Sequence, residues 1–117
     1  MRGLSADSLL RLPVRVRGIQ LGRPVDLILD AQGERAIGLD VLCGDDTHRF
    51  LPLAAAEVRD DHLAVASALT LLAGAELDFY RGRGSTLRQL RGRDGARDVA
   101  FGQDWRIEDI PAGESAA

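Results

Sequence analysis

Residues 25–43 read VDLILDAQGERAIGLDVLC. On each side of Ala31-Gln32-Gly33 an apolar residue recurs at every second position, which is the period of a β-strand with one buried face. Asp26 and Asp30 occupy alternate positions of the first run, so we expect them on the face opposite Leu27. Two such runs joined by a short turn that contains glycine predict an antiparallel β-hairpin.

Further strands are predicted on both sides of this hairpin. Upstream, residues 14–16 alternate until a turn or bulge at Arg17-Gly18 shifts the phase. Downstream, the turn Gly44–Thr47 precedes an apolar run whose Pro52 lacks a ladder donor and is expected at an edge or a bulge. A last small hairpin surrounds Asp60-Asp61. Short strands at this spacing predict a small β-barrel or sandwich.

Short helices are predicted at both ends of the chain. Ser5 is a candidate N-cap for a helix of about two turns that Pro13 ends. From Ser67 onward apolar residues recur at helical spacing, and Gly74 favours two short helices over one. A helical turn at 86–90 and closing strands near the C-terminus follow. The expected fold class is mainly β, a small β-barrel with short N-terminal and C-terminal helices.

Composition limits the classes of protein to which the chain can belong. Its 117 residues suit one domain, and a net charge of −3 is not typical of a nucleic-acid binder. Cys43 is the single cysteine, so neither an internal disulfide nor a multi-cysteine metal site is expected. The sequence shows no signal peptide and no apolar window of ~18 residues, which predicts a cytoplasmic protein without membrane insertion.

The hairpin sequence also resembles a known family. Residues 21–30, LGRPVDLILD, are similar to the opening hairpin of PRC-barrel domains. The run RFLPL at 49–53, followed by Glu57-Val58 and Leu63–Val65, is similar to later strands of that family. The step Ser67-Ala68-Leu69 also recurs there, so the resemblance extends over about residues 5–72.

PRC-barrel domains occur in the cytoplasmic subunit of purple-bacterial photosynthetic reaction centres and as the C-terminal domain of a ribosome-maturation factor that binds a small-subunit ribosomal protein. Many others stand alone in bacteria. The resemblance implies a small β-barrel that acts as an adaptor or assembly module, without catalytic activity. Neither specific role is carried over, because the sequence shows neither the N-terminal domain of that factor nor a transmembrane helix. We expect a PRC-barrel-like core at 5–72, an extension at 73–110 that packs on the barrel or on a partner protomer, and a frayed tail at 111–117.

Two acidic turns each bring carboxylates close to a histidine. Asp45-Asp46-Thr47-His48 and Asp60-Asp61-His62 could in principle bind a divalent metal. Aspartate is also a preferred turn residue, a histidine beside a turn is commonly solvated, and neither spacing is that of a known ligand set. No metal site, cofactor or catalytic residue is therefore predicted.

One segment of this acidic chain is strongly basic. It holds six arginines against one aspartate, Asp94, and it lacks the interleaved aromatic residues that stack on bases. The arginines could contact a phosphate backbone or an acidic partner, or they could lie on a solvated face and pair with the protein's own aspartates. They are Arg81, Arg83, Arg88, Arg91, Arg93 and Arg97.

Four apolar residues near the C-terminus are candidate interface residues, namely Val99, Phe101, Trp105 and Ile107. Trp105 is either a barrel-closing core residue or an interface anchor. Because exposed apolar patches mark interfaces, we expect a non-enzymatic protein–protein interaction or assembly module that forms a homodimer and binds a further, unknown protein. The alternatives are an RNA- or ribosome-associated factor that uses Arg81–Arg97 and, last, a small enzyme or metal binder at the acidic turns.

Overall fold

The computed structural model describes residues 4–89 and 99–109, and this part of the chain is mainly β-structure. Its strands form two sheets, accompanied by the short helices α1 (Ala6–Leu10) and α2 (Gly74–Arg83). The predicted fold class is confirmed. The strands are β1 (Leu4–Ser5), β2 (Val14–Val16), β3 (Ile19–Leu29), β4 (Ala36–Cys43), β5 (His48–Pro52), β6 (Ala56–Val58), β7 (Leu63–Val65), β8 (Ser85–Thr86), β9 (Val99–Phe101) and β10 (Ile107–Asp109).

The larger sheet curls into a half-barrel. Its strands lie in the order β5-β4-β3-β2-β7-β6, and β8 pairs with β3 beside them. Neighbours on this path are antiparallel except β2 and β7, which are parallel. Pro52 ends the edge strand β5, which confirms its predicted edge position. A single 3-10 turn, Leu53–Ala55, leads from β5 to β6 at the opposite edge, so the sheet must bend to bring its two edges close together.

The hairpin predicted for residues 25–43 is formed by β3 and β4. β3 extends back beyond the predicted hairpin to Ile19, and its register against β4 shifts between Pro24 and Asp26. The predicted turn at Arg17-Gly18 joins β2 to β3. Both of its residues have positive φ, 50° and 84°, as a type I′ hairpin turn requires.

Both faces of β3 are covered near its C-terminal end. Leu27 points into the main hydrophobic core, whereas Ile28 points the other way, into a second cluster with Phe50 and Leu77. Asp26 lies on the face opposite Leu27, as its position in the hairpin predicted. That face is not open to water, however, because α2 and the residues after it lie over it and leave Asp26 only 8% exposed.

The N-terminal helix and a C-terminal hairpin close the main core. Ser5 caps α1 as predicted, since its hydroxyl accepts a hydrogen bond from the Ser8 amide at 3.1 Å. β9 lies between β1 and β10 in a three-stranded antiparallel sheet. The predicted closing strands are therefore present, but Trp105 is not in a strand. It lies in the turn Gln103–Trp105 that connects them.

Two short helical segments follow β7, as predicted from Gly74. The first is a 3-10 turn, Ala68–Thr70, and the second is α2. A further helical turn at 87–89 confirms the described part of the turn predicted for 86–90. The apolar residues of this region differ sharply in burial, because Leu69 is 88% exposed and Leu77 is 1% exposed. The helical spacing had not distinguished the two.

Candidate functional site

An open apolar groove lies at the end of the β3–β4 hairpin nearest the turn into β5. One part is a cavity of about 580 Å³ between the first half of β3, the end of β4 and Leu10 of α1. The adjoining part, of about 450 Å³, shares Leu21 and Cys43 with the first and is bordered by Leu69 and Leu71. We refer to the two parts together as the groove.

Leu69 lies at the rim of the groove and is 88% exposed. Its backbone is held by Ser67, whose hydroxyl accepts a hydrogen bond from the Leu69 amide at 3.1 Å. The leucine side chain is therefore presented to solvent from an ordered turn. Asp45 and Arg49 also line this end of the groove and give it one charge of each sign. The groove thus combines an apolar floor with a charged rim, the usual composition of a binding surface.

The thiol of Cys43 contributes to the groove as a small apolar group. It is half-buried, and burial is the main cause that raises its pKa above the ordinary value of 9.0, with the charge of Arg49 opposing that shift. A thiol with a raised pKa stays protonated at neutral pH and is a poor nucleophile. In this environment Cys43 behaves as a small apolar side chain.

A second feature is a pair of buried carboxylates on the face of the sheet beneath α2. Asp26 and Asp40 are directly opposite each other on β3 and β4, and they are 8% and 6% exposed. Like charges at opposed positions of a sheet destabilise it, and a buried charge is costly unless it is paired. The groups that surround the two carboxylates therefore decide whether this face of the sheet is stable.

The two carboxylates are compensated unequally. His48 Nδ1 lies 2.7 Å from Asp40 Oδ1, and Arg81 of α2 donates to Asp40 Oδ2 at 3.4 Å. Among the described residues, Asp26 accepts hydrogen bonds from backbone amides, those of Leu27 at 2.8 Å and Arg88 at 3.3 Å. Burial raises the pKa of Asp26 above its ordinary 3.8, and the two amides and the charge of Arg88 only partly oppose that shift.

Side chains of both acidic turns are paired with other residues of the chain. Within residues 4–89 and 99–109 no three His, Cys, Asp or Glu side chains form a group that could hold a metal. His48 turns away from its own turn toward Asp40, while Asp45 accepts hydrogen bonds from Thr47, which lower its pKa. His62 Nδ1 lies 2.6 Å from the neighbouring Asp61, and that contact lowers the pKa of the carboxyl.

The structure describes Arg81, Arg83 and Arg88 of the basic segment, and it exposes all three side chains to solvent. Arg81 contacts Asp40, which is the second of the two roles considered for this segment. The guanidinium of Arg83 lies 5.2 Å from the centroid of the Phe79 ring, a cation–π contact on the outer face of α2. The predictions for Arg91, Arg93 and Arg97 fall outside the described residues.

The candidate interface residues of the C-terminal hairpin lie against the chain's own core. Phe101 is fully buried there, and its ring packs edge-on against Trp105 with 5.6 Å between centroids. Trp105 and Ile107 are partly buried and pack against the same core. The side chain of Val99 lies outside what the structure describes. An interface role for the exposed parts of this hairpin stays a prediction.

Sequence reasoning did not select Leu69 or the Asp26–Asp40 pair as site residues. For the pair a signal was present, because each aspartate interrupts the apolar run of a predicted strand in the same hairpin. Their opposition follows only once the register is known. For Leu69 the sequence carried no such signal, since it shares its helical spacing with the buried Leu77.

Comparisons of the chain with protein-family models, with curated proteins and with solved structures found no match. In the part of the chain that the structure describes, no helix is long and apolar enough to cross a membrane. The observations that bear on function are therefore the fold, the groove and the carboxylate pair.

Proposed function

We propose that the protein is a non-enzymatic protein–protein interaction module of PRC-barrel type that associates with itself and with a second protein of the bacterial cytoplasm. The observation that carries the proposal is the groove with the exposed Leu69 at its rim. The curled half-barrel sheet supports the PRC-type assignment, because such a barrel is the fold that the resemblance of residues 5–72 implies.

A partner that fills the groove would gain apolar contacts from several residues together. Burying a leucine side chain is worth about 1.5–3 kcal/mol. One exposed leucine is ordinary on a protein surface, but Leu69 adjoins Leu21, Leu71 and Cys43 in one concave surface. An apolar side chain that enters this surface would therefore remove several neighbours from water at once. The charges of Asp45 and Arg49 at the rim would favour one orientation of the partner.

Self-association has two candidate surfaces, the groove and the C-terminal hairpin. Trp105 and Ile107 remain partly exposed after they pack against the core, and tryptophan is enriched at interface centres. A second copy could cover either surface. The two are separable by experiment, because Leu69 belongs to one of them and Trp105 to the other.

The test compares the wild-type chain with Leu69→Ser, and with Phe79→Ser as a matched control. Both residues are large, apolar and exposed, but Phe79 lies on α2, away from the groove. Sedimentation velocity at increasing protein concentration should show that Leu69→Ser associates with itself more weakly than the wild-type chain does. Phe79→Ser should associate as strongly as the wild type. Retention of a lysate protein on the immobilised chain should fall in the same order. Equal behaviour of the two variants in both assays would refute a role for the groove.

The RNA- or ribosome-associated alternative has one observation in its favour. Arg83 and Arg88 are exposed at the start of the basic segment, so their guanidinium groups could reach phosphates. If this proposal is right, retention on RNA should fall by orders of magnitude between about 50 and 200 mM salt. Retention that does not change with salt, or that survives loss of both arginines, would exclude it.

A further inference from the structure

We propose that the face of the half-barrel sheet beneath α2 is a seat for an arginine-bearing amphipathic helix of a partner protein, and that α2 itself, residues 74–83, is its displaceable internal occupant. We call these residues the cover and the surface beneath them the seat. The seat lies on a different face from the groove, so this proposal does not depend on the groove.

The seat combines apolar and acidic groups in a small area. Ile28 and Phe50 form its apolar part and are 0% and 3% exposed beneath the cover. Asp26 on β3 and Asp40 on β4 form its acidic part, on the same face of the sheet. Without the cover, an apolar patch would lie beside two carboxylates that face each other. Such a surface is complementary to a helix that presents apolar side chains together with a positive charge.

The cover meets the seat with the pattern that a ligand helix would need. Leu77 enters the apolar cluster, and the ring of Tyr80 stacks on Phe50 with 4.6 Å between centroids. Arg81, the next residue, reaches Asp40. Leu77, Tyr80 and Arg81 stand at the i, i+3 and i+4 positions that lie on one face of a helix. An apolar residue, an aromatic residue and an arginine at this spacing therefore define the chemistry that the seat recognises.

The cover has fewer stabilising features than the sheet that forms the seat. The residue before α2 is Ala73, whose methyl group cannot cap a helix, and Gly82 lowers helix propensity. Within α2, all of which is described, Leu77 is the one fully buried side chain. The polar contact of α2 with the acidic pair, from Arg81, is long at 3.4 Å. A helix with one buried side chain is the kind of segment that opens locally while the sheet stays folded, and here β8 stays paired with β3 and Leu87 stays in the main core.

The acidic pair also determines which kind of helix can replace the cover once the cover has opened. When the cover leaves, Asp40 loses Arg81 and keeps His48, while Asp26 keeps the amides of Leu27 and Arg88. The exposed pair then attracts a cationic group and repels an acidic one. An arginine-bearing helix can take the place of the cover, whereas an acidic or purely apolar helix leaves Asp40 without a guanidinium partner.

The first experiment measures hydrogen exchange of the full-length chain. We expect the amides of the cover to exchange at least about tenfold faster than those of β3 and β4. Gly82→Ala should slow exchange of the cover by up to about fivefold, since a methyl group there meets open space among the described residues and alanine favours the helix. Exchange of the cover and of β3 and β4 at one common rate would show that the cover does not open by itself and would overturn the proposal.

The second experiment supplies the occupant in trans. A fluorescent peptide with the sequence of residues 74–83 is titrated onto the wild-type chain and onto Leu77→Ala, whose own cover is loosened. We expect binding to Leu77→Ala to be at least about tenfold tighter, and the same peptide carrying Arg81→Glu to bind at least about tenfold more weakly. If Leu77→Ala does not fold, the chain carrying Arg81→Ala takes its place as the host. Equal binding of the two peptides, or equal binding to both hosts, would refute the seat.

Discussion

Replacement of Phe101 by alanine tests whether the C-terminal hairpin belongs to the core of the protein. Phe101 is 0% exposed and packs against Trp105 at an edge-to-face distance of 5.6 Å. Phenylalanine-to-alanine changes in a core cost about 3–5 kcal/mol, because apolar contacts are lost and a cavity is left. The aromatic pair adds about 0.5–1.5 kcal/mol beyond the area that it buries. We therefore expect Phe101→Ala to lower the free energy of unfolding by about 4 kcal/mol.

Urea unfolding followed by circular dichroism measures this effect. With a slope of about 2 kcal/mol per molar urea, a loss of 4 kcal/mol lowers the midpoint by about 2 M. Phe79→Ala is the matched control, because Phe79 is 53% exposed and the chemical change is identical. We expect that variant to lie within about 0.5–1 kcal/mol of the wild type. If the two variants unfold at the same urea concentration, Phe101 is not a core residue and the packing described here is incorrect.

Three further changes are expected to act as follows. Ser5→Ala removes the hydroxyl that accepts the Ser8 amide, and thermal unfolding should show a loss of about 1 kcal/mol, whereas an unchanged Tm would contradict the cap. In the same urea assay, Leu77→Ala should lower the free energy of unfolding by about 2 kcal/mol or more, and Leu69→Ala by less than about 0.5 kcal/mol. Equal losses for the two variants would show that α2 does not pack on the sheet. Asp26→Asn should stabilise the protein at pH 7 and flatten its pH dependence. Because burial raises the folded-state pKa of Asp26, its contribution to stability is greatest below 3.8 and is lost as the pH rises through that raised value. Denaturant midpoints of both chains from pH 4 to 7 check this, and a less stable Asn variant at pH 7 would contradict it.

The groove and the seat would give the protein two surfaces with different chemistry. The groove is open in the structure and largely apolar, with Leu69 at its rim. The seat is covered, and Asp26 and Asp40 give it a strong preference for positive charge. A module of this kind could hold one partner constantly and admit a second only when the cover opens. The variants Leu69→Ser and Leu77→Ala separate the two surfaces, because each changes a residue of only one of them.

Local sequence signals predicted the individual elements with good accuracy. The β3–β4 hairpin, the turn at Arg17-Gly18, the cap at Ser5 and the edge position of Pro52 are all present. Each of these depends on residues close together in the chain, such as a period of two, a turn residue or a hydroxyl three positions from an amide. Trp105 belongs to a short alternating apolar run of the kind that is typical of a strand, but it lies in the turn between two strands with a left-handed backbone.

The candidate site was much less predictable than the fold. The basic segment and the acidic turns were predicted as candidate sites because like residues cluster there in the sequence. In the structure, Arg81 and His48 both contact Asp40, which lies in neither cluster. Phe101 was predicted to be an interface residue, but it is buried in the core. Its burial could not be foreseen because it depends on β1, almost a hundred positions away in the sequence. No pattern within one segment contains that information.

The sequence by itself determined that this chain forms short, mostly antiparallel strands joined by tight turns, because period, turn chemistry and capping act between near neighbours. Only the tertiary structure decided which faces of those strands are covered. The register of β3 against β4 placed Asp26 opposite Asp40, and the packing of α2 buried Leu77 while the turn before it left Leu69 in water. Burial is a property of contacts between distant segments, and for that reason both surfaces argued to carry function became visible only in the folded chain.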